Sequence, residues 1–191
     1  METTSTVTET KPSQTTSYLG MIFFLISEAF LFGSLFWTYY YLKVKTPVWP
    51  PQGVKLDTVL ASVNTGILVT GSMTMWLAVR SIRQGKEKRL AFCLAATMVL
   101  GATFLGITFW EWTHLNFRPW SHAYGSTFYT LTGFHAMHVL IGTLLMLFLL
   151  VRTLRHRFSS RRFVAVEVGG LYWHFVDVVW LAVFSTILII K

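Results

Sequence analysis

Charge is scarce in this chain. Only 13% of its 191 residues are charged, and just 8 are acidic. A soluble domain of that size shows amphipathic stripes and charged faces, so the composition argues against one. Cysteine is nearly absent. A lone Cys93 excludes any disulfide within the chain, and a cysteine-based metal site would need ligands from elsewhere. Cys93 reads as a small packing residue. Proline occurs 5 times, never at the middle of a long apolar run. That argues against the broken helices of channels and transporters, as does the lack of any internal or inverted repeat. The first 16 residues are polar and rich in Thr and Ser. They lack the positive start and short apolar core of a signal peptide, and read as a disordered cytoplasmic tail.

What the chain does have is hydrocarbon in long blocks. Apolar segments run over Tyr18–Leu42, Leu56–Val79, Leu90–Trp112, Gly125–Val151 and Val166–Ile190. Each is long enough, at the helical rise, to cross a ~30 Å hydrocarbon layer. The spacing predicts an all-α polytopic membrane protein, with a five-helix transmembrane domain over residues 17–191 after the tail. The formal net charge of +8 invites a nucleic-acid reading, but the basic residues are sorted between alternate loops. Arg80, Arg83, Lys86, Lys88 and Arg89 fall between spans two and three. Arg152, Arg155, Arg157, Arg161 and Arg162 fall between spans four and five. With Lys11 that side holds 11 basic residues, against 5 on the other. The positive-inside rule then puts the N-terminus in the cytoplasm and the C-terminus across the membrane, and sets the basic loops against lipid headgroups rather than nucleic acid. Aromatic residues near the span ends, Trp37, Tyr39, Tyr40, Tyr41, Trp49, Trp110, Trp112, Trp120 and Tyr124, read as an interfacial belt. Arg80–Arg89 predicts a tight helical hairpin, and Pro47–Gly53 a turn-rich outer loop.

The few polar groups at membrane depth are where function is sought. Glu28 lies near the middle of span one. His135 and His138, three apart and so on one helical face, lie in span four. His174 and Asp177 share the same spacing in span five, as do Glu111 and His114 toward the outer end of span three. A mid-membrane carboxylate is costly unless protonated, paired or hydrated, so these residues predict an internal polar cluster. His135 or His138 is the expected partner of Glu28. Haem ligation is one reading of the histidines, but neighbours three apart cannot clamp both faces of one haem, and only His174 is at similar depth. A carboxylate-bridged metal site built on Glu111-x-x-His114 would need further acids at its depth. Proton handling by Glu28 and lipid binding by Arg152, Arg155 and Arg157 are the other readings. The plainest is that the groups satisfy one another and fix helix packing. No complete metal-ligand set and no catalytic residue is expected.

Several stretches resemble one family. Ser27-Glu28-Ala29-Phe30 leading to Phe36-Trp37 resembles a run in subunit III of cytochrome c oxidase, and Trp49-Pro50-Pro51 resembles that family's outer loop. Tyr124-Gly125-Ser126-Thr127-Phe128, with Gly133-Phe134-His135-Ala136-Met137-His138-Val139, is similar to its penultimate helix. Tyr172-Trp173-His174-Phe175-Val176-Asp177-Val178-Val179-Trp180 is similar to its last. The similarity covers the chain from about Tyr18 onward.

The resemblance implies a core subunit that carries no haem or copper. Those groups would belong to partner subunits, the catalytic subunit I and subunit II, with small subunits as further partners. It also implies that the chain binds phospholipid and supports sustained proton uptake, in an energy-transducing membrane of bacterial plasma or thylakoid type. Glu28 matches the family's carbodiimide-reactive glutamate. Arg152 matches a basic residue that contacts lipid phosphate in longer relatives. Mitochondrial members have two further helices. Five-helix members occur in cytochrome c oxidases and in quinol oxidases, and the Trp-Pro-Pro loop leans toward the former. The alternatives are a quinol oxidase subunit III, an accessory module of nitric oxide reductase, or a small haem-bearing redox protein.

Overall fold

The computed structural model describes residues 14–155 and 163–189. Its described residues form helices α1 (Gln14–Lys45), α2 (Thr58–Arg83), α3 (Glu87–His114), α4 (Ala123–Leu154) and α5 (Val164–Phe184), followed by a π-helical turn over Ser185–Ile189. Among the described residues five helices are long and apolar enough to cross a membrane. α1, α3 and α4 overrun their apolar segments at both ends, and α2 and α5 at one, because helical hydrogen bonding continues past the hydrocarbon into interfacial residues such as Lys43 and Lys45. Residues 14–16, expected in the tail, are helical; the rest of the tail and Arg157 lie outside the described residues.

The helix ends carry their own signals. Asp57 caps α2 by accepting from Leu60 N at 2.9 Å, and His122 caps α4 by accepting from Gly125 N at 2.8 Å. The predicted hairpin between α2 and α3 turns at Gly85, whose φ of +70° suits a residue without Cβ.

α2, α3, α4 and α5 pack side by side, and α1 lies on the α4–α5 seam. Trp173 of α5 is the hub. Its ring, 1% exposed, sits against Gly71 of α2, Gly101 of α3 and Gly142 of α4. A Cβ at Gly101 would lie 2.6 Å from Thr143 Oγ1 and 2.7 Å from the Trp173 ring. Small residues here let three helices close on one large indole. At the end of the bundle away from the Arg80–Arg89 hairpin, Tyr39, Trp49 and Tyr124 pack edge to face, with centroids 5.2 Å apart for Tyr39–Trp49 and for Trp49–Tyr124. The expected aromatic belt therefore divides. Trp37, Trp110 and Trp120 are exposed, as a belt requires, whereas Tyr39 and Tyr124 are core.

Candidate functional site: polar pairs on the helix seams

The mid-membrane polar residues do not form one cluster. They divide among separate helix contacts. On the α1–α4 seam, Glu28 Oε2 lies 3.0 Å from His138 Nε2, with side-chain exposures of 16% and 6%. His138 Nδ1 donates to the carbonyl of Phe134 at 2.7 Å. A carbonyl can only accept, so Nδ1 carries a hydrogen, and the contact with Glu28 is bridged by one proton shared between carboxyl and imidazole. Phe32 packs at a tilt against the His138 ring at 5.1 Å, and Tyr172 donates to the His138 carbonyl at 3.0 Å. α1, α4 and α5 thus meet around this pair.

On the α2–α5 seam, Ser72 donates to Asp177 Oδ2, and its oxygen lies 2.9 Å from His174 Nδ1. His174 and Asp177 do share a face, as their spacing predicts, and one serine from another helix joins them. Beyond His174 a groove of about 500 Å³ opens between α1, α2 and α5 toward the basic end of the bundle. At its rim Arg83 Nε donates to Glu167 Oε1 at 2.5 Å. The Arg83 side chain is 63% exposed and that of Glu167 7%, so the guanidinium reaches in from the surface to a buried carboxyl. Sequence reasoning missed this pair. Its only signal was an acid in the first turn of α5 and a base in the last turn of α2.

His135 behaves differently from its neighbour. It is fully buried, its ring 4.7 Å from Trp180 and 5.6 Å from Phe104, and neither nitrogen has a protein partner. Of the two histidines expected to meet Glu28, only His138 does. Glu111 and His114 also part: the His114 ring packs on Trp110 at 4.2 Å with Nδ1 2.9 Å from the Trp110 carbonyl, while Glu111 lines a narrow cavity inside the bundle. Asn64, also missed, is 2% exposed and donates to Thr108 Oγ1 at 3.2 Å. Arg152 lies over the Phe148 ring at 5.5 Å, and Arg155 ends α4.

Chemically, these seams can hold protons and orient helices. His135, His138 and His174 each face different neighbours, so their nitrogens do not converge on one point as ligands of one haem or metal would. Among the described residues no three His, Cys, Asp or Glu gather as a metal site.

The sequence model for cytochrome c oxidase subunit III matches residues 1–190. The chain is 37% identical over 185 residues to cytochrome c oxidase subunit 3 of Latimeria chalumnae, covering 93% of this chain and 71% of that protein. It is 37% identical over 177 residues to the subunit 3 of Ornithorhynchus anatinus, with 88% and 67% covered. For Anopheles gambiae the identity is 36% over 175 residues, with the same coverage of 88% and 67%. The matched stretch takes in every helix that builds the seams, and the chain belongs to the cytochrome c oxidase subunit III family.

Proposed function

We propose that the chain is a non-catalytic core subunit of a haem-copper oxidase that reduces oxygen to water and pumps protons. It binds phospholipid, stabilises the catalytic subunit and supports that subunit's proton uptake. Haem and copper belong to partner subunits I and II in this reading, which the divergent placement of the three histidines supports. The basic loops face the cytoplasm, so Arg152 and Arg155 stand at the inner headgroup layer, where guanidinium groups attract anionic phosphate. The membrane is an energy-transducing one, of bacterial plasma or thylakoid type, and the electron donor binds elsewhere in the complex.

The observation that carries this reading is the part-buried Glu28–His138 contact at 3.0 Å, made by the residue that matches the family's carbodiimide-reactive glutamate. A carboxyl tied to an imidazole by a shared proton suits a tuning role. Glu28→Gln keeps a hydrogen bond at similar volume. The expected outcome is a complex that assembles and retains most of its initial oxygen consumption. Loss of the first turnovers in a fully assembled, haem-loaded complex would make Glu28 an essential proton carrier and overturn the accessory reading. Glu28→Ala leaves a cavity and an unpaired histidine, so it should weaken assembly more.

A further inference from the structure

Glu111 is a carboxyl that none of these pairings uses. It reaches a narrow cavity of about 30 Å³ between the outer halves of α2, α3, α4 and α5, lined also by Thr108, Thr132 and Trp180. The remaining wall is aliphatic and aromatic. Neither of the ion pairs among the described residues involves Glu111. A carboxyl facing such a wall needs a hydrogen-bonding partner.

The groups around the cavity are short of partners in a consistent way. Thr108 and Thr132 donate their hydroxyl hydrogens to Phe104 and Phe128 carbonyls at 2.9 and 2.8 Å. Their oxygens are left to accept. Asn64 already donates to Thr108, and its Oδ1 is buried without a protein partner. One turn below Thr132 is His135, fully buried, with both nitrogens unpaired. Its ring packs at a tilt against Trp180, which also lines the cavity. Glu111, Thr108 and Thr132 line the cavity itself, while Asn64 adjoins it through Thr108 and His135 through Trp180. They call for a small molecule that both donates and accepts. The volume suits one or two waters, since a water needs roughly 10–15 Å³.

We propose that this cavity is a hydrated proton-holding site, in which Glu111 carries an exchangeable proton and water links its carboxyl through Thr108 and Thr132 toward Asn64 and His135. Asp57, which caps α2, and Tyr129 of α4 are the other titratable groups near Glu111. The site is distinct from the Glu28–His138 pair, which faces α1. It does not depend on the lipid reading.

The test is infrared spectroscopy of the whole purified oxidase, in H₂O and in D₂O. Subtracting the Glu111→Gln spectrum should isolate one protonated-carboxyl stretching band. That band should move to lower frequency in D₂O within minutes. Thr132→Val, which keeps shape and removes one hydrogen-bonding oxygen, should shift the band as well. If Glu111→Gln fails to assemble, Thr132→Val and Asn64→Leu complexes are compared with the parent in the same carboxyl region, where both should displace one D₂O-sensitive band. An ionised Glu111, a band still insensitive to D₂O after hours, or one indifferent to the threonine and asparagine changes would overturn the proposal.

Discussion

At the residue scale, the spacing of polar groups says which face they share but not which neighbour they meet. His135 and His138 are three apart, which leaves them about 60° apart around the helix. On α4 that angle separates two seams: His138 turns to α1 and His135 to the packed centre. Glu28 was legible as a mid-membrane carboxyl in need of a partner, and the partner was one of the two expected. Ser72 was not legible, because a serine inside a span is commonplace and gains meaning only from what faces it. Its hydroxyl now serves both Asp177 and His174. Ser72→Ala removes both contacts and should lower stability by about 1–2 kcal/mol, the usual effect of stripping a partner from a buried polar group in a bundle. Ser72→Thr keeps the hydroxyl and should restore most of it. The denaturation midpoint of the complex in mild detergent is the measurement. An unchanged midpoint for Ser72→Ala would mean that this trio does not hold α2 to α5.

At the scale of the element, the spans were readable almost completely, because uninterrupted apolar runs leave a helix no competing state in hydrocarbon. Their interfaces were not. A glycine looks the same in sequence whether it faces lipid or a tryptophan. Gly101 faces Trp173 and Thr143 at distances a Cβ cannot tolerate, while Gly106, on the same helix, has nothing within 4 Å. Gly101→Ala should therefore cost about 1–3 kcal/mol through overpacking, and Gly106→Ala should leave the thermal midpoint unchanged. Equal midpoints for the two variants would remove Trp173 from its place as hub. The π-helical turn at Ser185–Ile189 carries no sequence signature, since it differs from an α-turn only in which carbonyl accepts.

For the molecule as a whole, α1 stands apart. Only 6% of its most apolar stretch is buried within the chain, against 50% for α5. Its outward face, with Phe23, Phe30 and Trp37 exposed, is left to lipid or to neighbouring subunits. The charge of the loops gives the expected orientation in the membrane. The loop at Gln84 is flanked by Arg80, Arg83, Lys86, Lys88 and Arg89, whereas the one at Asn116 carries only Arg118. With basic loops inward, a cysteine at Gln84 should be labelled by an impermeant reagent only after cells are permeabilised, and one at Asn116 in intact cells. The reverse pattern would reject the orientation.

The contact between Glu28 and His138 also has a history in time. The two residues are 110 apart in sequence, and among the described residues the main contacts of α1 are with α4 and α5, which are made after α2 and α3. At roughly 5–20 residues per second, synthesis of the intervening chain takes on the order of 10 s. Through that interval Glu28, the acidic residue of α1, has no His138 to pair with. α1 is therefore complete well before the helices that hold it, and its contact with His138 cannot form until α4 is made.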